Sequence, residues 1–185
     1  MTIRIDAEKQ WLQPVRRLPS PNCDDRPVAA VIDLLVIHGI SLPPGEYGGD
    51  YIDRLFTNCL DPGEHSCFSE IAHLCVSAHL LINRYGEITQ YVPFPMRAWH
   101  AGESEFCGRT ACNDYSIGIE LEGCDEEPYT LPQYHSLATI TQVLQRQWQD
   151  IQKDRIVGHS DIAPDRKTDP GPSFNWDFYF SLVAE

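Results

Sequence analysis

The apolar positions of this chain switch between two periods, and the switches mark its elements. Residues 32–38 (IDLLVIH) form an almost continuous apolar run of strand length, the pattern of a central strand covered on both faces. Gly39 and the turn-rich SLPPGEYGG follow, so His38 sits where a buried strand emerges into a loop. Ile52, Leu55, Phe56, Cys59 and Leu60 recur at helical spacing and predict about three turns of amphipathic helix. The run LCVSAHLLIN is apolar again, and EITQYV beyond Arg84-Tyr85-Gly86 completes a strand–turn–strand signal with Gly86 at the turn. Residues 115–122 (YSIGIELE) alternate, with Ile117, Ile119 and Leu121 on one side and Gly118, Glu120 and Glu122 on the other.

Residues 134–148 return to the helical period, with Tyr134, Leu137, Thr141, Leu144 and Trp148 near one face. Ile156-Val157 reads as a short strand, and residues 174–183 as a final aromatic helix with Ser173 as its N-cap. Residues 1–30 are broken by Pro14, Pro19, Pro21 and Pro27 and predict an irregular segment packed on the domain formed by residues 31–185. Strands and helices intermixed in one core mean an α/β domain.

Composition narrows the partners. In 185 residues there are 27 acidic and 14 basic side chains, a formal charge of −13. Nucleic acid or an anionic membrane would need a basic face, so neither is expected as a partner. No stretch approaches the length of a membrane span, and MTIRIDAEKQWLQPVRRLPS lacks an apolar signal core. Seven cysteines, an odd number with no Cys-x-x-Cys pair, fit reduced thiols better than a disulfide framework. The expectation is a cytoplasmic monomer.

The chemistry concentrates in residues 158–172, GHSDIAPDRKTDPGP. Pro170, Gly171 and Pro172 rigidify the chain directly after Asp169, as a metal site requires if ligands are to be ordered before the ion arrives. Zinc favours neutral imidazoles and carboxylates, and a catalytic zinc keeps one position for water. His38 and His159 both follow strand-like segments, so neighbouring strands would aim their nitrogens at one point. Asp161, Asp165 and Asp169 all offer a third ligand; spacing does not choose among them, and the proline clamp favours Asp169. With Glu120 and Lys167 added, the chain holds the parts of metal-assisted hydrolysis.

The segments HGISLPPGEYGG, VSAHLLINRYGEITQYVPF, RAWHAG, CNDYSIGIELEG and GHSDIAPDRKTDPGP resemble, in matching order, the AmpD-type 1,6-anhydro-N-acetylmuramyl-L-alanine amidases. These are zinc amidases related to peptidoglycan recognition proteins. The resemblance implies a central mixed β-sheet flanked by helices, with the zinc groove at one edge of the sheet. It implies Zn2+ held by His38, His159 and Asp169, with Glu120 as general base and Lys167 beside the developing oxyanion. His79 and His100 match family positions and are expected to be scaffold or groove residues. The implied substrate is a muropeptide, cut between N-acetylmuramic acid and L-alanine during cytosolic peptidoglycan recycling. A non-catalytic peptidoglycan-binding protein or an amidase acting on intact wall are the competing expectations.

The chain departs from that pattern at two positions. Cys75 and Ala111 stand where the family commonly carries arginines that hold stem-peptide carboxylates, and neither residue can make a bidentate carboxylate contact. Arg84, Arg97 and Arg109 are the candidates to compensate.

Overall fold

The computed structural model describes residues 2–6 and 10–184. Its centre is a six-stranded mixed sheet in the order Ile156–Gly158, Leu34–Ile40, Ser116–Glu122, Leu80–Ile82, Ile88–Gln90, Arg16–Arg17. The first four run parallel; Leu80–Ile82 pairs antiparallel with Ile88–Gln90, and Arg16–Arg17 adds parallel to the latter. The expected mixed sheet flanked by helices is therefore present.

Parallel strands are covered on both faces, which explains the apolar run that ends at His38. One face of the sheet carries Leu35, Ile37, Ile117, Ile119 and Leu121 under helices α2 (Leu131–Gln147) and α4 (Trp176–Val183). The opposite face carries Leu34 and Val36 against Ala101, Cys112, Tyr115 and Ile162. All seven residues of Ser116–Glu122 are buried, although their alternation alone would suit a strand with one wet face. Glu120 is therefore a carboxylate in a dry position.

Helix α2 starts three residues earlier than the apolar period suggests. Thr130 Oγ1 accepts from the Gln133 N–H while the Gln133 side chain accepts from the Thr130 N–H, and proline sits in the first turn. A reciprocal cap of this kind contributes about 1 kcal/mol. Its buried positions, among them Tyr134, Leu137, Thr141 and Leu144, meet α4, where Thr141 and Tyr179 hydroxyls lie 2.7 Å apart.

Helix α4 begins at Trp176 rather than Phe174, and its cap is Asn175, whose Oδ1 accepts from the Phe178 N–H at 2.9 Å, rather than Ser173. Ser173 instead donates to the Glu127 carbonyl.

Two further expectations are corrected. Helix α1 covers only Tyr51–Phe56, six residues instead of three turns, because Thr57 caps it and Asn58 turns left-handed at φ 59°. The proline-broken N-terminal segment is not wholly irregular: Arg16–Arg17 joins the main sheet, and Cys23–Asp25 pairs antiparallel with Met96–Ala98. No helix among the described residues is long and apolar enough to cross a membrane. All seven cysteines are free thiols.

Candidate active site

Two parallel strands and the loop after a third build the site. In the ladder between Leu34–Ile40 and Ser116–Glu122, Glu120 lies directly opposite His38, so both side chains leave the same face at neighbouring positions. Gly158 ends the third strand, and His159 opens the four-residue helix α3 (His159–Ile162). The loop beyond α3 turns back, and the Asp169 carbonyl accepts from the Ser160 N–H at 2.9 Å. Tyr129 donates to the Pro170 carbonyl at 3.0 Å, fixing the loop on its far side. Gly171 is needed there, since at φ 80° a Cβ would lie 2.4 Å from Asp125 Cα.

His38, His159 and Asp169 meet. His38 Nδ1 and His159 Nδ1 are 2.9 Å apart, and Asp169 Oδ2 lies 3.3 Å from the first and 3.1 Å from the second. Among the described residues this is the one group of three His, Cys, Asp or Glu side chains so arranged. Donors held 2.0–2.1 Å from a tetrahedral zinc are separated by roughly 3.3 Å, so the triangle fits that ion after slight expansion. The other aspartates of the loop are differently employed. Asp161 Oδ2 accepts from the Gly158 N–H at 2.7 Å, capping α3, and Asp165 is exposed.

The electrostatics suit ligands. Burial pushes the His38 imidazole down to about 4, and burial likewise holds His79 and His100 well below the ordinary histidine range. His38 is thus a neutral nitrogen donor at neutral pH. Burial alone would raise the Asp169 carboxyl, but its close contacts with the His159 and His38 rings overcome it and keep the group ionised. Glu120 is the reverse case: burial, aided by the Asp169 charge, raises its carboxyl well above the ordinary range, and the nearby Lys167 charge offsets this only partly. Glu120 Oε1 stands 4.0 Å from His38 Nδ1, while its buried Oε2 has no hydrogen-bond partner among the described residues. A buried acceptor without a partner is costly and points to a missing donor.

A cavity of about 250 Å3 opens on His159 and Asp169, with Glu120, Lys167 and His100 also on its lining and Leu42, Leu55, Phe56 and Val76 as an apolar wall, and His38 is buried against the two ligand candidates. The structure therefore brings all five predicted residues to one place. His79 is fully buried behind His100, with ring centroids 5.8 Å apart. His79 Nδ1 accepts from the Gly118 N–H at 3.1 Å, whereas His100 Nδ1 sits 2.9 Å from His38 Nε2. Sequence reasoning missed the supports of these rings, Gly118 and Ser116. A Cβ on Gly118 would lie 2.4 Å from His100 Cγ, and His100 Nε2 is 3.1 Å from Ser116 Oγ. The non-apolar side of that alternating strand was the available signal.

The three arginines proposed as substitutes are engaged within the chain. Arg84 donates to the Pro128 carbonyl and packs over the Tyr47 ring; Arg97 is forked between Asp24 and Asp114; Arg109 pairs with Asp33 at 2.6 Å. Cys75 and Ala111 are both exposed.

Comparison with known proteins agrees with this geometry. Residues 27–172 match the Amidase_2 family, N-acetylmuramoyl-L-alanine amidase. The 1,6-anhydro-N-acetylmuramyl-L-alanine amidase AmpD of Escherichia coli (strain K12) is 58% identical over 178 residues, covering 96% of this chain and 97% of that protein. AmpD of Haemophilus influenzae is 54% identical, with the same coverage of both chains. A crystal structure of a selenomethionine AmpD derivative superposes with a TM-score of 0.93 at 55% identity, over 97% of this chain and 98% of that one. Fold, site geometry and relatives converge: the chain belongs to the N-acetylmuramoyl-L-alanine amidase family, among the AmpD amidases.

Proposed function

We propose that the protein is a zinc-dependent amidase that hydrolyses the bond between 1,6-anhydro-N-acetylmuramic acid and L-alanine in cytoplasmic peptidoglycan recycling. The convergence of two imidazoles and one carboxylate on a single point, beside a buried glutamate, carries the reading. A structure of E. coli AmiD, 27% identical over 97% of this chain, is described as a complex with the substrate anhydro-N-acetylmuramic acid-L-Ala-D-gamma-Glu-L-Lys, which supports the substrate class.

His38, His159 and Asp169 would hold the zinc. When bound, zinc supplies a Lewis acid that polarises the amide carbonyl and makes a water nucleophilic near neutral pH. Glu120 has an unpartnered oxygen and a raised proton affinity, so it takes the proton from the attacking water and returns it to the leaving nitrogen. Lys167, on the same cavity wall, places a positive charge beside the carbonyl oxygen as it becomes an oxyanion. The apolar wall lowers the local polarity and leaves these charges less screened.

Purified protein is expected to contain about one zinc per chain and to release L-alanyl peptides from soluble anhydro-muropeptides. Metal analysis and chromatography of the products check both. A folded, metal-free and inactive protein would instead be a binding module, and faster release from intact sacculi would make it a wall amidase.

Stem-peptide recognition is expected to be loose, because Cys75 and Ala111 provide no guanidinium and Arg84, Arg97 and Arg109 are already engaged within the chain. Turnover of anhydro-muramyl tripeptide and of anhydro-muramyl-L-alanine should then differ by less than about tenfold, the lower end of what one charge-assisted contact contributes. A strong preference for the tripeptide contradicts this.

A further inference from the structure

We infer that Asn113 is a positioning residue for the metal site, acting through the backbone of His100 and Ala101 on the outward nitrogens of both ligand imidazoles. The inference rests on the reading of His38, His159 and Asp169 as a zinc site. The two histidines are 121 positions apart, yet their outer nitrogens meet consecutive residues. His38 Nε2 lies 2.9 Å from His100 Nδ1, and His159 Nε2 donates to the Ala101 carbonyl at 3.2 Å.

That dipeptide follows the short Met96–Ala98 strand and has no ladder partner among the described residues. Instead, the N–H groups of His100 and Ala101 both donate to one oxygen, Asn113 Oδ1, at 3.1 and 2.8 Å. An amide oxygen has two lone pairs, and using both on consecutive N–H groups fixes the backbone between them. Arg166 Nη2 donates to the Ala101 carbonyl at 2.6 Å, securing it from the other side. The His100 ring lies over Gly118, with Nε2 directed at Ser116 Oγ. Asn113 is itself anchored, since its carbonyl accepts from Arg26 Nη1 at 2.9 Å.

The chemistry requires such a device. Each ligand must present Nδ1 as a lone pair, which puts its proton on Nε2, and an acceptor facing Nε2 selects that tautomer and fixes the ring. Here His38 Nε2–H donates to His100 Nδ1, and His100 Nε2–H donates onward to Ser116. His159 Nε2–H faces a carbonyl that can only accept. Losing Asn113 loosens both acceptors at once.

Zinc affinity, read by competition with a chromophoric chelator, tests the assignment. Asn113→Ala should weaken binding roughly 10- to 100-fold, the usual effect of removing a group that orients a metal ligand. Asn113→Asp, which keeps an acceptor oxygen in place, should restore most of it. The visible spectrum of the cobalt-loaded protein should change in the alanine variant and revert in the aspartate one. A residue that merely closed a loop would lower the melting temperature measured in chelator and leave zinc affinity within about twofold of wild type; that result overturns the inference. If Asn113→Ala does not fold, His100→Phe removes the acceptor from His38 Nε2 while keeping a ring over Gly118, and unchanged zinc affinity there overturns it equally. Wild-type protein without tight zinc binding overturns the zinc reading and this inference with it. Tight wild-type binding with unaffected variants overturns the inference alone.

Discussion

Asp169→Ala is expected to lose zinc and hydrolysis together, with turnover falling to the chelator-treated background. The substitution takes away one of the three donors of the proposed set and its one carboxylate, leaving two imidazoles. A catalytic zinc is held by three protein ligands, and two imidazoles alone do not retain it against a competing chelator. The fold should survive. The loop at this point is tied by backbone groups that alanine retains: the residue-169 carbonyl to the Ser160 N–H, and the Pro170 carbonyl to Tyr129. Zinc content after dialysis, circular dichroism and product release measured on one sample separate the outcomes. A folded variant that keeps stoichiometric zinc would show that Asp169 is not a ligand. Asp161→Ala serves as the contrast, because its carboxylate caps α3 and should cost stability rather than metal.

That contrast shows where the sequence was readable and where it was not. His38 and His159 could be found because an apolar run stops at each, and a strand end is where a buried sheet meets a loop. Three aspartates of one loop look alike in one dimension. Only the path of the chain reveals that Asp161 turns back to Gly158, that Asp165 faces solvent and that Asp169 meets the imidazoles.

Glu120 was legible as a non-apolar residue on an alternating strand. Its burial was not, because coverage of both faces depends on helices and loops far along the chain. Arg16–Arg17 was missed as part of the sheet since two residues carry no period. Helix α1 was overextended because Cys59 and Leu60 continue its spacing past the left-handed turn at Asn58. Asn113 meets Ala101 through its side-chain oxygen and Ala101 meets His159 through its carbonyl, contacts 12 and 58 positions apart that no local pattern of side chains marks.

Glu120→Gln should lower turnover by roughly 10²- to 10⁴-fold, the range for loss of a general base, while retaining zinc. The same substitution should alter stability in a direction fixed by the raised carboxyl. Folding removes Glu120 from water, so the folded protein binds its proton more tightly than the unfolded chain, whose carboxyl titrates near 4.5. The stability linked to that proton is complete below the unfolded value and is lost as pH rises through the folded one. Metal-free wild type therefore carries a growing penalty above about pH 4.5 that glutamine, which never ionises, avoids. Melting temperatures of both proteins in chelator should accordingly diverge from pH 4.5 to pH 8, with the variant the more stable at the upper end. Bound zinc should shrink the gap, because a nearby cation favours the ionised carboxylate. Near-normal turnover in the variant would remove Glu120 from the reaction. A melting difference independent of pH would mean that its carboxylate is solvated, and a solvated glutamate has no driving force to hold the water's proton until the nitrogen departs.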